Sequence, residues 1–577
     1  MPESPAADTI EQTITRIRAA LQDYIEATYH ISDAALVARR RVLLEQEGVL
    51  FRAPYIESTP RYKTSRRFAD LDIPEAAKTL FAVMTSSSGA QLPLLHDPPY
   101  THQADALEAA GGHGESAVIT TGTGSGKTES FLLPLLAKLA AEASASPASF
   151  AMPAVRAILL YPMNALVNDQ LGRLRTLFGD DRVTGQFTAW AGRPARFARY
   201  TSRTLYPGVR SVKKDQVRLK PIEHFYVSLL QQASGPDSPE RDEARDLIAN
   251  LQGRGKWPSK PDLLGWYGAS RRRWQDPQTG QFLRAVLRPE DAELFTRHEV
   301  LDSPPDLLVT NYSMLEYMLM RPLERPVFDR TRDWLAATPG ERLLLVVDEA
   351  HMYRGSAGAE VGLLLRRLRA RLGIQANRLQ VICAGASFTD TEYARVFAAQ
   401  LAGKDPEDFR SVYGELALRE GGAAGSAEDA HALAAVPMAA FYEAQDDRGR
   451  LEAVREFTDY RQAGRDTARP GEVLYEALHD FPPMSQLVNL TMRSAMPLSE
   501  LGTRVFPGQD TALADQAVTA LLALGSAARL SEHEAGLLPC RVHAFFRGLP
   551  GLWACPDPGC PAVPEGSSGG PAGALYS

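Results

Sequence analysis

The feature that most constrains the fold of this chain is the glycine-rich segment 120–128, Thr-Thr-Gly-Thr-Gly-Ser-Gly-Lys-Thr. It follows an apolar run, 117–119, that has the pattern of a buried strand. Glycines let the backbone approach a phosphate closely, and the backbone N–H groups then converge on the anion at the start of the next helix. The segment therefore predicts a phosphate-binding turn between a strand and a helix of a parallel sheet.

A second segment supplies the groups that such a turn lacks. The apolar run 343–347 ends in Asp348 and Glu349, followed by Ala350 and His351. Lys127 can neutralise the outer phosphates, while the hydroxyl of Thr128 and the carboxylate of Asp348 are ligands suited to Mg²⁺. Glu349 can then orient the attacking water. Either segment alone is weak evidence, since glycine-rich turns and surface Asp-Glu pairs are common. Together they predict a site for ATP and Mg²⁺.

The two segments resemble motifs of the superfamily-two DEAD/DEAH-box helicases, and three further stretches agree in order. Residues 100–103, Tyr-Thr-His-Gln, resemble the glutamine motif of that family, and residues 160–166 and 308–315 resemble its motifs Ia and Ib. Residues 385–387, Gly-Ala-Ser, stand where the family has Ser-Ala-Thr. The glycine at the first of these positions removes one hydroxyl from the segment that links hydrolysis to strand movement.

This resemblance implies a set of site residues. The expected catalytic residues are Lys127, Asp348, Glu349 and His351. The expected nucleotide-binding residues are Gln103, Thr121, Gly122, Thr123, Gly124, Ser125, Gly126, Lys127 and Thr128, with Gln103 reading adenine through a carboxamide that both donates and accepts. The expected nucleic-acid-binding residues are Asn164, Asn311, Tyr312 and Ser313. Thr128 and Asp348 are the expected ligands of Mg²⁺.

Longer phrases resemble a narrower group, the large bacterial helicases of the YprA-like type, which includes DNA-repair and phage-defence members. These phrases are residues 54–60, 296–299, 311–322, 348–355 and 541–548. The likeness covers most of residues 50–560. It implies DNA rather than RNA as the nucleic-acid partner, single- or double-stranded.

The distribution of strand and helix patterns predicts an α/β chain of several parts. We expect a helical N-terminal extension over 1–75, and a first RecA-like, parallel-sheet P-loop domain over 76–400 that contains an insertion at about 196–300. A flexible connection over 401–440, a helical or winged-helix-like region over 441–540 and a truncated cysteine-containing segment over 541–577 should follow.

The insertion is rich in arginine and aromatic residues, which leaves two interpretations open. Basic residues interleaved with aromatics can neutralise phosphates and stack on bases. Alternatively, the aromatics form the insertion's own core and the charges are solvated. The residues concerned are Arg193, Arg196, Arg199, Tyr200, Arg203, Trp257, Trp266, Tyr267, Arg271, Arg272, Arg273 and Trp274.

Cys555 and Cys560 have the spacing of a zinc knuckle, but zinc takes four ligands. Cys540 and His543 could complete the set within the chain. The preferred interpretation is half of a zinc site, with Zn²⁺ bound in a longer protein of which this chain is the N-terminal part. Residues 462–469 imitate the arginine-finger motif of a second RecA-like domain, but Pro470 interrupts the helix that would carry those arginines.

Composition limits the remaining possibilities. A net charge of −7 means that any nucleic-acid surface is local rather than global. Four cysteines in 577 residues favour a reducing compartment, and no apolar run is long enough to span a membrane. We therefore expect a cytoplasmic protein without membrane contact, and the oligomeric state stays open.

The combined motifs predict the motor half of an ATP-dependent nucleic-acid helicase. A competing hypothesis is a nucleotide-dependent nucleic-acid-binding fragment without productive hydrolysis, because no second RecA-like domain with its arginines is recognised. An AAA-type or transporter ATPase is disfavoured by Gln103 and by the sequence Asp-Glu-Ala-His.

Overall fold

The computed structural model describes residues 10–46, 48–87, 92–122, 124–268, 274–385, 390–463, 469–531, 535–549, 551–563 and 571–577. The chain divides into two compact units. One unit is Tyr62–Glu415, and the other combines Met1–Arg61 with Leu416–Ser577. No helix in the described ranges combines the length and apolar character that crossing a membrane requires.

The strands are β1 (Phe51–Ser58), β2 (Ser116–Thr120), β3 (Ala157–Tyr161), β4 (Phe197–Arg199), β5 (Glu293–Leu294), β6 (Leu307–Asn311), β7 (Leu343–Val347), β8 (Leu379–Gly385), β9 (Phe409–Tyr413), β10 (Met496–Pro497), β11 (Cys540–Phe546), β12 (Trp553–Ala554) and β13 (Leu575–Tyr576). Strands β2 to β9 form an eight-stranded sheet in the order β5-β4-β6-β3-β7-β8-β2-β9. Every pairing in it is parallel. The predicted α/β class with a parallel sheet is confirmed.

The α-helices of the sheet unit are α3 (Glu75–Thr85), α4 (Thr101–Ala106), α5 (Lys127–Ala145), α6 (Pro147–Ala151), α7 (Asn164–Phe178), α8 (Asp181–Ala191), α9 (Val212–Arg218), α10 (Lys220–Ile222), α11 (Ser228–Ala233), α12 (Pro239–Gly253), α13 (Leu263–Tyr267), α14 (Arg297–Asp302), α15 (Tyr312–Met320), α16 (Arg325–Ala337), α17 (Gly355–Leu372) and α18 (Thr391–Ala402). Two π-helical turns, Leu107–Gly112 and Glu223–Val227, continue α4 and α10.

The central strand β7 is apolar at every position because helices cover both faces of the sheet. In β7, Leu344 and Val346 join one buried cluster, together with side chains of α5 and α7. Leu343, Leu345 and Val347 point to the opposite face and join a second cluster with α16 and α17. This alternation explains the continuous apolar run that ends at Asp348.

The insertion lies between β4 and β5, which both belong to the sheet, and it has a hydrophobic core of its own. Trp257, Trp266 and Tyr267 are buried in that core together with Tyr206. The indole nitrogen of Trp266 donates to Glu299 at 2.8 Å. Trp257, Trp266 and Tyr267 therefore follow the core interpretation, whereas Trp274 is half-buried outside this cluster and residues 271–273 lie outside the described ranges.

The second unit contains α1 (Ile10–Thr28), α2 (Ala34–Glu45), α19 (Ala427–Ala434), α20 (Met438–Glu443), α21 (Asp447–Tyr460), α22 (Pro470–Leu478), α23 (Pro482–Arg493), α24 (Leu498–Val505) and α25 (Thr511–Ala527). Its antiparallel sheet has the order β10-β1-β11. Ile56 of β1 packs into the core formed by α19 to α25. The pair β12 and β13 lies near the C-terminus.

Two ranges differ in content from the sequence-based division. Residues 401–440, expected as a flexible connection, contain β9 of the parallel sheet and the helix α19. Residues 541–577 contribute most of β11, which pairs with β1 from the N-terminal extension. Local composition cannot reveal such strand pairing, because the partner strand is hundreds of residues away in the chain.

Candidate nucleotide-binding site

The glycine-rich turn leads from the end of β2 into the first turn of α5, as its sequence predicts. Gly124 and Gly126 both have positive φ angles, 76° and 70°, and Gly126 is the residue before the helix. Lys127 and Thr128 are the first two residues of α5, and both are half-buried. The hydroxyl of Ser125 donates to that of Thr121 at 2.8 Å and ties the two sides of the turn together. Thr123 lies outside the described residues.

Two side chains of the preceding segment bind the carbonyl groups of this turn. The Nε2 atom of His102 lies 2.9 Å from the carbonyl oxygen of Ser125, and Nε2 of Gln103 donates to that of Gly126 at 3.1 Å. The Oε1 atom of Gln103 accepts from the backbone N–H of Tyr100 at 3.0 Å. The carboxamide expected to read adenine thus also holds the turn, leaving one N–H and one lone pair for a ligand.

Gly126 has a second reason to lack a side chain. A Cβ atom at this position would lie 2.5 Å from Nε2 of Gln103, a distance that requires the carboxamide to move. Together with the positive φ, this contact makes glycine necessary at position 126 in the observed arrangement.

The carboxylates expected at the end of β7 meet the lysine of the turn. Nζ of Lys127 lies 3.1 Å from Oδ1 of Asp348 and 2.5 Å from Oε1 of Glu349. Glu349 has φ 50° and ψ 40°, a conformation uncommon for a residue with a side chain. Its backbone N–H donates to Oδ1 of Asp348 at 2.8 Å. His351 places Nδ1 3.4 Å from Oε2 of Glu349. The structure thus brings all four expected catalytic residues together.

Burial shapes the electrostatics of this cluster. Asp348 is 7% exposed, and its desolvation raises the pKa of its carboxyl group, an effect that Lys127 opposes and Glu349 reinforces. The buried hydroxyls of Tyr161 and Tyr353 have no hydrogen-bond partner among the residues that the structure describes. Burial, and next the charge of Asp348, raise the pKa of both phenols, so they remain neutral donors beside the carboxylate.

The residues present fit a nucleoside triphosphate with Mg²⁺. One lysine, a helix N-terminus and a glycine turn suit phosphate oxygens, while Asp348 and the hydroxyl of Thr128 suit the metal. Within the described residues, no group of three or more His, Cys, Asp or Glu side chains could hold a metal ion. Mg²⁺ does not need such a group, because it binds through one or two carboxylates together with substrate phosphates.

The residues expected to contact nucleic acid lie at the carboxyl ends of β3 and β6, on the same edge of the sheet. Nδ2 of Asn311 donates to Oδ1 of Asn164 at 2.7 Å. Oδ1 of Asn311 accepts from the backbone N–H of Met314 and so begins α15. Tyr312 and Ser313 are half-buried in the first turn of α15. The two asparagines are brought together, and the amide of Asn311 also has a structural role.

The cysteine segment is not a complete metal site in the described residues. The four groups Cys540, His543, Cys555 and Cys560 are not assembled: Sγ of Cys540 lies 3.7 Å from the hydroxyl of Ser526, and Nε2 of His543 lies 2.6 Å from Oε2 of Glu57. The internal zinc set is therefore wrong for this fold, because β11 holds Cys540 and His543 in contacts of their own.

The sequence arguments missed His102, Tyr161 and Tyr353 as members of the site. His102 and Tyr161 lie within the motif stretches 100–103 and 160–166, so those motifs are the sequence signal for both residues. Tyr353 follows the Asp-Glu-Ala-His stretch by two positions. Ala386 and Ser387 of the expected Ser-Ala-Thr position lie outside the described residues, after β8 ends at Gly385.

Residues 100–198 match the sequence profile of the family described as DEAD/DEAH box helicase. The chain is 42% identical over 572 residues to the Druantia protein DruE of Escherichia coli (strain UMEA 4076-1), a match that covers 96% of this chain and 30% of that protein. It is 31% identical over 109 residues to an uncharacterized ATP-dependent helicase of Methanocaldococcus jannaschii, covering 19% of this chain and 15% of that protein. The chain thus spans less than a third of the length of these relatives.

Among solved structures, the chain is similar to the DUF1998 helicase MrfA bound to DNA and AMPPNP, with 15% identity, a TM-score of 0.32, and coverage of 84% of this chain and 53% of that one. It is also similar to the DEAD-box helicase Mss116 bound to ssRNA and UDP-BeF, with 11% identity, a TM-score of 0.32, and coverage of 64% and 51%. At these TM-scores the superpositions carry no functional argument. The stretch that matches the family profile, residues 100–198, includes the glycine turn and Asn164.

Proposed function

We propose that this chain is the motor segment of an ATP-dependent nucleic-acid helicase. The observation that carries the proposal is the meeting of Lys127 with Asp348 and Glu349 at the carboxyl edge of the parallel sheet. The lysine follows β2 and the carboxylates follow β7, with β8 between these strands. Open parallel sheets bind their ligands at this edge, where the strand order reverses.

In this proposal each protein group has one task. Lys127 and the N–H groups of the glycine turn bind and orient the phosphates, and Asp348 and Thr128 would hold Mg²⁺, which would offset negative charge. Glu349 orients the attacking water and accepts its proton. The hydrogen bond from the N–H of Glu349 to Asp348 keeps this carboxylate beside the site.

A nucleic-acid strand is proposed to cross the same edge at β3 and β6. Asn164 and Asn311 lie there, Met163 next to Asn164 in the chain is exposed, and so is Tyr317 of the helix α15 that follows Asn311. A strand at this position would lie beside β7, the neighbour of β3 in the sheet. Contacts at such a place reach mostly phosphates, so binding should be steeply salt-dependent and weakly sequence-selective.

The test is nucleotide titration and phosphate release by the 577-residue chain. Lys127→Ala should abolish binding of a fluorescent ATP analogue, because it removes the only phosphate-facing cation proposed for the turn. Lys138→Ala is the matched control, since Lys138 lies further along α5 and pairs with Glu341 at 2.8 Å. Equal affinity in wild type and Lys127→Ala would overturn the assignment of the nucleotide site.

A second candidate is a nucleotide-dependent nucleic-acid-binding module without productive hydrolysis. It is favoured by the contacts of Glu349, whose two carboxylate oxygens lie beside Lys127 and His351. Phosphate release stimulated by single-stranded DNA and lost in Glu349→Gln would select the helicase. Nucleotide-dependent strand binding without release would select the binding module.

The finer aspects of the proposal rest on sequence resemblance. The phrases shared with the YprA-like helicases support DNA over RNA, a motor that belongs to a longer protein, and a role in DNA repair or phage defence. Cys555 and Cys560 would supply half of a zinc site in that longer protein. All four cysteines are free, which supports a cytoplasmic setting. Competition between matched DNA and RNA strands tests the nucleic-acid preference directly.

A further inference from the structure

Strands β1 and β11 form a sheet face that contributes no residue to the candidate nucleotide-binding site. They pair antiparallel, with Arg52 opposite Phe545, Tyr55 opposite His543 and Glu57 opposite Arg541. The register shifts between Arg52 and Tyr55, so that these two residues lie on the same face despite their odd spacing. Two sequence phrases from opposite ends of the chain thus build one surface.

The two faces of this sheet have opposite characters. Ile56 and Ser58 are buried on one face, where the hydroxyl of Ser58 donates to the carbonyl of Val488 in α23. On the other face the ring of Phe545 is 51% exposed. It lies edge-on to Tyr55 with the centroids 5.6 Å apart, and it is nearly parallel to His543 at 6.5 Å. The exposed face is therefore a row of three rings.

Positive charge surrounds these rings. Arg52, Arg541 and Arg547 are all exposed. The carboxylate on this face, Glu57, is engaged by His543 at 2.6 Å. Beside the rings lies a groove of about 450 Å³, lined by Phe51, Tyr55, Phe545, Phe546, Arg52 and Arg547. A volume of this size accommodates a small planar group and not a folded domain.

We propose that this face, hereafter the β1–β11 platform, binds the bases of single-stranded nucleic acid. Exposed rings on a sheet stack on unpaired bases, and adjacent arginines neutralise the phosphates of the same strand. An apolar protein partner would match the rings but would leave three arginines without counter-charges. The charge of the platform therefore selects a polyanion with planar groups.

The inference rests on the proposed function, because it assumes that the chain works on a nucleic-acid strand. It assigns a separate contact with single-stranded nucleic acid to the second unit. The asparagines at β3 and β6 would reach phosphates, whereas the platform would read the faces of bases. Stacking is tolerant of sequence, since every base has a π face.

The experiment measures binding of fluorescein-labelled oligothymidylate, of oligouridylate, and of an oligomer with abasic sites in place of the thymidines. The abasic oligomer keeps the phosphates and removes the stacking groups. Phe545→Ala should weaken thymidylate binding about fivefold or more, the lower end of one base stack converted to affinity. The Phe545→Ala variant should also bind the thymidylate and abasic oligomers almost equally, whereas the wild type should bind thymidylate more tightly than the abasic oligomer. Arg52→Gln should reduce the salt slope by about 0.7, the value for one phosphate contact.

Two further variants separate stacking from folding. Phe545→Leu keeps an apolar side chain against Tyr55 but removes the π surface, so this variant should bind thymidylate as weakly as Phe545→Ala. Phe545→Trp keeps a π surface and should bind thymidylate at least as well as wild type. Tyr413→Ala is the matched control, because Tyr413 is a strand aromatic that is 54% exposed in the other sheet; its affinity should be unchanged.

The outcomes distinguish the two proposals. If wild type binds thymidylate and Phe545→Ala binds it equally well, the platform is refuted while the helicase proposal stands. If wild type binds no single strand at all, both fail together. A loss in Phe545→Ala that is equal for thymidylate and abasic oligomers would also refute stacking, because it would show a contact that does not involve bases.

Discussion

Replacing Gly126 by alanine tests whether the glycine turn is held in its phosphate-binding form by Gln103. Gly126 has a φ of 70°, and an L-residue in this left-handed region costs about 1–2 kcal/mol. The added Cβ would lie 2.5 Å from Nε2 of Gln103, so the carboxamide must leave the carbonyl of Gly126. The lost hydrogen bond adds about 0.5–1.5 kcal/mol.

These two contributions sum to about 1.5–3.5 kcal/mol, which corresponds to an affinity for Mg-ATP about 10- to 300-fold weaker than in wild type. In the variant the glycine turn moves to relieve this strain. Nucleotide binding must then return the turn to its phosphate-binding form, so the free-energy cost lowers the affinity for the nucleotide. Titration of a fluorescent ATP analogue in the presence of Mg²⁺ measures it.

Two further variants test whether the contact between Gly126 and Gln103 causes this loss of affinity. Gly373→Ala carries a similar positive φ of 66° at the end of α17, and its added Cβ would meet no atom within 4 Å. It should lower thermal stability and leave nucleotide affinity unchanged. In a Gln103→Ala background the clash is absent, so the Gly126→Ala penalty should fall to about the 1–2 kcal/mol of backbone strain. An equal penalty in both backgrounds would show that Gln103 does not hold the turn.

Two other predictions concern the buried charges of the sheet unit. Burial raises the pKa of Asp348, and Mg²⁺ binds the ionised form of this carboxyl group. The affinity for Mg-nucleotide, measured by titration, should therefore fall with decreasing pH already at pH values where an exposed carboxylate is still ionised. This decrease should be absent in Asp348→Asn. Arg156 is fully buried and pairs with Glu142 at 2.8 Å and Asp306 at 2.9 Å, so Arg156→Met should destabilise the protein by about 3–5 kcal/mol in denaturant unfolding. Arg325→Met, which removes an exposed pair, should cost less than about 1 kcal/mol.

The parts of the site that sequence predicts best are those encoded by neighbouring residues. The glycine turn between β2 and α5, and Asp348 at the end of the buried strand β7, follow from strand periodicity and glycine spacing alone. The α/β class follows from the same alternation of apolar runs and helical patterns. In each case the signal and the structure occupy the same few residues.

The parts that sequence does not predict depend on contacts between distant residues. Gln103 is recognisable by its motif, but its hydrogen bond to Gly126 requires the positions of α4 and α5 in three dimensions. The strand β4 joins the sheet although a separate aromatic core follows it in the chain. The pairing of β1 with β11 is hardest to foresee, since local periodicity gives no register between segments at opposite ends of the chain.

The cluster of Lys127, Asp348 and Glu349 is one coupled unit, so the effects of substitutions within it depend on one another. Oδ1 of Asp348 contacts both the N–H of Glu349 and Nζ of Lys127, and the same Nζ contacts Glu349. Removing Lys127 therefore leaves the carboxylates of Asp348 and Glu349 without their shared cation, whereas removing one carboxylate leaves the lysine still paired. The three single substitutions cannot add, because each one changes the charge that the other two experience. Only a double-mutant cycle between Lys127 and Glu349, measured on nucleotide affinity, separates the phosphate contact of the lysine from its role in holding the two carboxylates together.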